Sequence, residues 1–315
     1  MTTSNERLMR ADVALAQLAS NGGLLNPEQT NTFLDIVQEQ PTILRDIRMV
    51  RMAAPQMKIN KIGLAGRILR AATETGGMED NGTNDRWLSK ANRSAPVTSQ
   101  VALQTSEVIA EVRIPYEVME DNIEGDNFEE HVMRLIAERC ALDLEELALF
   151  GDTTNAVDPY LALMNGYFKL ASLHIVDNAN AGPSDALITN GLLAMPQKYL
   201  RNLPGMRGYM SIANKIKFQT TRMQRFTTLG DASIQGNGDL YSQGLKIEPV
   251  NTIAADGSGK QGLITFPQNL IMGIQRQITV ETDKDIRARE YVIVVTARVA
   301  TQVEDNNGIV QLINI

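Results

Sequence analysis

The chain has 315 residues, with 37 acidic against 30 basic side chains and a net charge of −7, which argues against the concentrated basic surface that nonspecific nucleic-acid binding needs. Hydrophobic residues make up 43% and charged residues 21%; this is ordinary for a globular protein, and no stretch approaches the roughly 18 apolar residues of a membrane span. The single cysteine, Cys140, rules out an intramolecular disulfide, and residues 1–7 have neither the basic nor the apolar region of a secretory signal, so a reducing compartment is expected.

The first forty residues read as two helices. Asn5 can cap the first, with Leu8, Ala11, Leu15 and Leu18 at helical spacing. Asn26-Pro27 starts the second, a capping side chain followed by proline at the first helical position. An extended stretch follows over 47–52. Residues 56–104 form a distinct unit, with strand-like segments at 57–63 and 68–72, then the turn-rich tract Glu74–Asp85, the only tryptophan, Trp87, and a returning strand at 97–104. A unit this polar holds too little apolar material to bury a core of its own. It needs something else to lie on, often another subunit.

Residues 107–114 alternate, with Val108, Ala110, Val112 and Ile114 on one face and Glu107, Glu111 and Arg113 on the other, the pattern of a half-buried strand. A short helix is expected over 115–122. A long helix over 127–150 carries an apolar stripe through Phe128, Val132, Leu135, Ile136, Cys140, Leu144 and Leu147, opposite Glu130, Arg134, Glu138 and Glu145. At 1.5 Å per residue it spans roughly 36 Å. Gly151 stands where a left-handed cap is wanted. Beyond an apolar stretch at 161–173, a helix is expected over 184–199, capped by Ser184 and interrupted at Pro196. Next come a strand at 208–212, a helix at 215–224 and a glycine-rich segment, mobile in character, at 227–244. Strands follow at 245–253, 262–266, 269–274, 291–303 and 309–315, with Asp256-Gly257 and Asn307-Gly308 as hairpin dipeptides. Segregated strands and helices place the chain in the α+β class.

Groups that could do chemistry are few. His131 and Cys140 lie on different helical faces, and His174 sits in another element, so neither a Cys–His pair nor a zinc site is expected. Gly257-Ser-Gly-Lys260 lacks the first glycine of a phosphate loop (Ala254) and its magnesium-binding hydroxyl (Gln261), and it leads into a strand, so it reads as a turn. The pairs Glu129/Glu130, Glu145/Glu146 and Asp283/Asp285 could in principle bind a divalent ion or serve a hydrolase. No base, nucleophile or glycine-rich cradle accompanies them, and a solvated or intersubunit acidic face fits better. No enzyme activity and no cofactor or metal is expected.

Charge is unevenly distributed. Between Arg45 and Arg93 there are ten Lys/Arg against five Asp/Glu, and between Glu107 and Asp158 fifteen acids against three arginines. Two solvated surfaces would account for this. The sharper reading lays the basic segment of one copy over the acidic segment of another, an arrangement that fixes partner and register. Its candidate contact residues are Arg67, Arg70, Trp87, Glu130, Glu138 and Glu145.

The ordered set Ala95–Gln104, Ser106–Asp121, Ile136–Asp152 with its terminal Gly-Asp, Gly244–Val250 and Asn269–Gly273 resembles the tailed-phage major capsid proteins of the Hong Kong 97-type fold, over roughly residues 45–315. The resemblance implies an N-terminal arm at 1–55, an extended loop at 56–104 that overlaps a neighbour, and a peripheral domain at 105–175 and 270–303 built on a spine helix at 127–150. An axial domain would comprise 176–269 and 304–315. The turn Thr282–Asp285, with contact residues Asp283, Lys284 and Asp285, would approach threefold axes. The implied function is self-assembly, as hexamers and pentamers, into an icosahedral shell around double-stranded DNA held without sequence-specific contacts. Portal, scaffolding and decoration proteins are the family's further partners, the location is the virion after assembly in the host cytoplasm, and no membrane is involved. An encapsulin-type shell around a cargo enzyme is the alternative the same fold offers. Few residues precede the loop and the chain begins at Met1, so no scaffolding segment removed by a protease is expected. Lys58 and Lys61 invite the family's isopeptide crosslink, but no partner asparagine or catalytic glutamate is identifiable, and no crosslinking is expected.

Overall fold

The computed structural model describes residues 43–64, 68–69, 94–120, 128–224, 240–254 and 259–315. In chain order it contains α1 (Ile43–Asp46), β1 (Arg48–Arg51), β2 (Gln56–Leu64), β3 (Pro96–Gln104), β4 (Ser106–Pro115), α2 (Tyr116–Glu120), α3 (Phe128–Phe150), α4 (Tyr167–Leu170), β5 (Ile175–Asp177), α5 (Asp185–Ala194), β6 (Arg207–Met210), α6 (Ile212–Met223), β7 (Leu240–Ser242), β8 (Leu245–Pro249), β9 (Gly262–Thr265), β10 (Leu270–Asp285), β11 (Glu290–Val303) and β12 (Ile309–Ile313). The expected helices at 1–40, the tract Glu74–Asp85, the segment 227–239 and Asp256-Gly257 lie outside the described residues, and Ile68 and Leu69 carry no regular structure.

Residues Gln56–Gln104 form one compact unit and the remainder of the chain another. In the first, β2 and β3 pair antiparallel from Gln56 opposite Gln104 to Leu64 opposite Pro96. Apart from Leu103, Ile59, Lys61 and Val101, these strands are exposed on both faces.

The larger unit holds two sheets. One has the order β1-β10-β11-β4 and the other β5-β12-β9-β6-β8-β7. In the six-stranded sheet the central strands are buried on both faces, so neighbouring residues enter different cores. Tyr209, Leu263 and Ile309 join a cluster with Ile43, Leu147, Leu149, Tyr167, Leu270 and Val299. Met210, Ile264 and Val310, each one position later, join a second cluster with Leu187, Ile188, Phe218 and Leu245 from α5, α6 and β8. This is the period-two geometry of a strand. It explains why these segments read as continuous apolar runs.

Helix α3 has 23 residues, close to the expected bounds. Its apolar stripe is half-buried at Val132, Leu135, Ile136 and Cys140 and becomes fully buried toward the C-terminus, where Leu144, Leu147, Ala148 and Leu149 are in the core. The helix does not end in a left-handed glycine, since Gly151 is absent from the positive-φ residues. Glycine is required there by proximity. A Cβ on Gly151 would lie 2.4 Å from the Met164 carbonyl oxygen, and one on Gly166 would lie 2.5 Å from that of Leu149. The two backbones are joined by a Gly166 N–H donated to the Gly151 carbonyl at 2.7 Å.

Helix α5 starts on Ser184, whose hydroxyl accepts from Leu187 N–H at 3.3 Å, and stops at Ala194, two residues before Pro196. Asn307-Gly308 does not form a hairpin. It lies in a 3-10 turn between β11 and β12, which belong to different sheets. A second crossing, Pro267–Asn269, runs beside it between β9 and β10. Asn269 ties the two together: its carbonyl accepts from Glu304 N–H at 2.9 Å, its side-chain oxygen accepts from Asp305 N–H at 2.8 Å, and its side-chain nitrogen donates to the Asp305 carbonyl at 3.0 Å.

Candidate assembly surfaces

Among the described residues the longest ladder is β10–β11, with 16 and 14 residues, paired from Leu270 opposite Val303 to Asp285 opposite Glu290 with register shifts between Ile274 and Thr279. Its far end is a solvent-facing tip. The turn lies beyond the expected Thr282–Asp285: those residues are still strand, and the chain reverses over 286–289. No glycine or proline marks this turn. Asp285 organises it by accepting from Arg287 N–H at 3.0 Å and Ala288 N–H at 3.2 Å, and Arg289 supplies the positive φ of 55°. Asp283 is exposed and accepts from Lys284 N–H at 2.7 Å, and the Lys284 ammonium lies 4.7 Å from the Tyr291 ring centroid. Ile286 at the tip is 81% exposed.

Strand β4 forms the outer edge of the four-stranded sheet, paired with β11 from Ser106 opposite Val299 to Pro115 opposite Glu290. Its side chains alternate as expected, with Val108, Ala110, Val112 and Ile114 half-buried and Glu107, Ile109, Glu111 and Arg113 exposed. Two charge clusters sit on the exposed face. At one end Glu107 receives Arg276 at 2.5 Å and Arg298 at 2.8 Å, and hydrogen bonds from Arg298 first and Arg276 second hold its carboxyl below the usual range. At the other end Arg113 lies 2.6 Å from Glu111 and 3.6 Å from Glu290, which keep its guanidinium firmly charged. The first cluster carries two positive charges and one negative, the second the reverse.

Beneath β4, a cavity of about 330 Å³ is lined by Val108, Ala110, Cys140, Leu144, Val295 and Ala297, with Asp143, Glu146, Asp158 and Tyr160 among its polar residues. Burial raises the Glu146 carboxyl, helped by Asp143 and Asp158 and opposed by Arg139. Burial also raises the Cys140 thiol, which suits a small core residue more than a nucleophile. Tyr160 donates to the Asp143 carbonyl at 2.7 Å. Among the described residues, no cluster of three or more His, Cys, Asp or Glu is arranged to hold a metal.

The structure divides the sequence-derived contact residues. Arg67, Arg70 and Trp87 lie outside the described residues, and of Glu130 only the backbone, in α3, is described. Glu138 is exposed on α3, next to the Arg139–Asp143 ion pair at 3.0 Å. Glu145 is not on that face. It is 1% exposed, and its carboxylate accepts from the Ile43 N–H at 2.7 Å and the Thr252 hydroxyl at 3.2 Å. The last turns of α3 are surrounded on several sides, so the one-sided periodicity that placed Glu145 outside stops applying there. Lys58 is exposed and Lys61 half-buried. Lys260, from the loop-like Gly-Ser-Gly-Lys run, donates to the Asn180 side-chain oxygen at 2.8 Å.

No protein-family model matches the chain. It is 39% identical over 322 residues, 99% of each chain, to YqbE of Bacillus subtilis (strain 168), named as a prophage capsid protein. Among solved structures it is similar to the capsid of a native GTA particle (TM-score 0.63, 14% identity, 95% of this chain and 98% of the other). It is also similar to a chain of the satellite phage P4 procapsid that includes the size-determination protein (TM-score 0.62, 15% identity, 99% and 98%), and to a chain from Mycobacterium phage Cain (TM-score 0.59, 15% identity, 92% of each). Among the described residues, no helix is long and apolar enough to cross a membrane.

Proposed function

This chain belongs to the major capsid proteins of tailed phages, with the Hong Kong 97-type fold, and on that premise we propose that its copies assemble as hexamers and pentamers into an icosahedral shell around a double-stranded DNA genome. The role is structural, without catalysis, and the location is the virion. The observation that carries this reading is the unit Gln56–Gln104, whose paired strands expose both faces over most of their length and so bury no core of their own. Such a segment gains stability by lying on another subunit. Residues 105–175 with 270–303 serve as the peripheral domain and 176–269 with 304–315 as the axial domain. The division is supported by the membership of β10, β11 and β4 in one sheet and of β5–β9 and β12 in the other. Strand β1 extends the first sheet from the N-terminal arm. DNA contacts are not sequence-specific, and portal, scaffolding and decoration proteins are further partners.

Electron microscopy of the purified protein tests this. Closed shells built of six- and fivefold capsomers are expected. Monomers and dimers under all assembly conditions, or shells that hold a cargo enzyme and no DNA when isolated from cells, overturn it.

A further inference from the structure

Sheet edges with unpaired backbone invite another strand, and proteins usually blunt them. In the two sheets of the larger unit, three of the four edges are blunt. Strands β5 and β7 have three residues each, and β1 has four, two of them arginines. Strand β4 is the exception: ten residues long, without an internal proline or glycine, and carrying Ile109 at 71% exposure. Among the described residues, no strand pairs with its outer side. We propose that this edge is an interface between two copies of the chain, in which β4 pairs antiparallel with β4 about a twofold axis at Ala110. This rests on the assembly reading above and names one of its contacts.

The register follows from charge and alternation. Antiparallel partners must present side chains on the same face, so the twofold centres on a residue. Centred on Ala110, the pairing sets Glu107 opposite Arg113, Ile109 opposite Glu111, Val108 opposite Val112 and Ser106 opposite Ile114. The cluster Glu107–Arg276–Arg298, with an excess positive charge, then faces the cluster Glu111–Arg113–Glu290, with an excess negative one, and symmetry makes the contact twice. Neighbouring registers are worse. Centring on Ile109 opposes Glu107 with Glu111, and centring on Glu111 opposes that carboxylate with itself, and like charges directly opposite are destabilising. On the other face, the half-buried Val108, Ala110 and Val112 would continue the apolar layer across the axis and close the side of the cavity that Ala110 and Val108 line. An isologous contact of this kind is self-complementary and needs no second partner.

Site-directed cysteines test it, in full-length protein with Cys140→Ser. Under mild oxidation, Ala110→Cys is expected to link into a covalent dimer, while Ile109→Cys, which would face Glu111, is not. The exposed pair Glu107→Cys and Arg113→Cys should each stay monomeric alone and link when mixed. These outcomes, in shells or in smaller oligomers, support the interface even if no shell forms. Shells in which Ala110→Cys fails to link, or links to residues of 56–104 in a neighbour, overturn the interface and leave the capsid reading standing.

Discussion

Glu145 holds the chain at Ile43: one carboxylate oxygen accepts from the Ile43 backbone N–H at 2.7 Å while the other accepts from the Thr252 hydroxyl at 3.2 Å. A side chain on the spine helix α3 thereby joins the N-terminal segment to the turn that follows β8, all of it away from water. Removing the acceptor strands buried donors, each costing about 1–3 kcal/mol. Glu145→Ala should therefore destabilise the subunit by about 2–6 kcal/mol, and Glu145→Gln, which keeps one acceptor oxygen, by clearly less. Urea unfolding of the unassembled protein checks this; an unchanged midpoint for the alanine variant would refute the structural role given to the carboxylate.

Two glycines make a second case. Gly151→Ala would drive a methyl to within 2.4 Å of a backbone oxygen, whereas the same change at Gly63 meets nothing within 4 Å. Backbone cannot yield as a flexible side chain does, so Gly151→Ala should cost about 1–3 kcal/mol and Gly63→Ala should stay within about 0.5 kcal/mol. Thermal unfolding of the two variants side by side is the comparison; equal melting temperatures would contradict the close approach of Gly151 to Met164.

Acid should loosen the end of α3 in a defined window. Asp152 accepts from the Thr154 hydroxyl at 2.6 Å, from Lys169 at 2.9 Å and from the Thr154 N–H at 2.9 Å, and these hold its carboxyl down to about 2, below its usual value of 3.8. A carboxyl depressed on folding stabilises the native state above its unfolded value, and the contribution is lost as pH falls from 3.8 through about 2. Asp152→Asn should flatten that part of the stability–pH curve. The effect should be small, because the side chain is partly open to solvent, which screens these contacts. An unaltered acid limb in the variant would assign the loss to other groups.

The basic segment ahead of the spine helix supplies the fourth prediction. Reversing Arg67 and Arg70 to Glu should impair shell assembly and leave the subunit folded by circular dichroism, since complementary potentials steer partner choice more than they build a core. Normal shells from that variant would sink the account that places this segment over a neighbour's acidic surface.

Elements with one-sided burial were readable in the sequence. Strand β4 alternates because one face meets the core and the other meets water, and α3 keeps its helical stripe for the same reason from Val132 to Cys140. Legibility failed wherever burial became many-sided or the determinant was distant. Glu145 looks like a surface acid by spacing, yet its surroundings are set by Ile43 and Thr252, far away in the chain. Asn307-Gly308 has the local chemistry of a hairpin, but the strands it joins lie in different sheets. The tip lies at 286–289, beyond the expected Thr282–Asp285, and no glycine marks its place because Arg289 takes the left-handed conformation. The clamp of Arg276 and Arg298 on Glu107 depends on strand register across three strands, which no local pattern contains.

The paired crossings at Pro267–Asn269 and Asn306–Gly308 have a mechanical consequence. Internal pressure on a shell wall pulls its subunits in tension. Here the pull passing from one sheet to the other would be shared by two side-by-side crossings of the chain, running in opposite directions and cross-stitched at Asn269. Load in such a joint is carried in shear by several bonds at once, so they do not peel open one after another. Under force, the subunit should yield elsewhere before this seam parts.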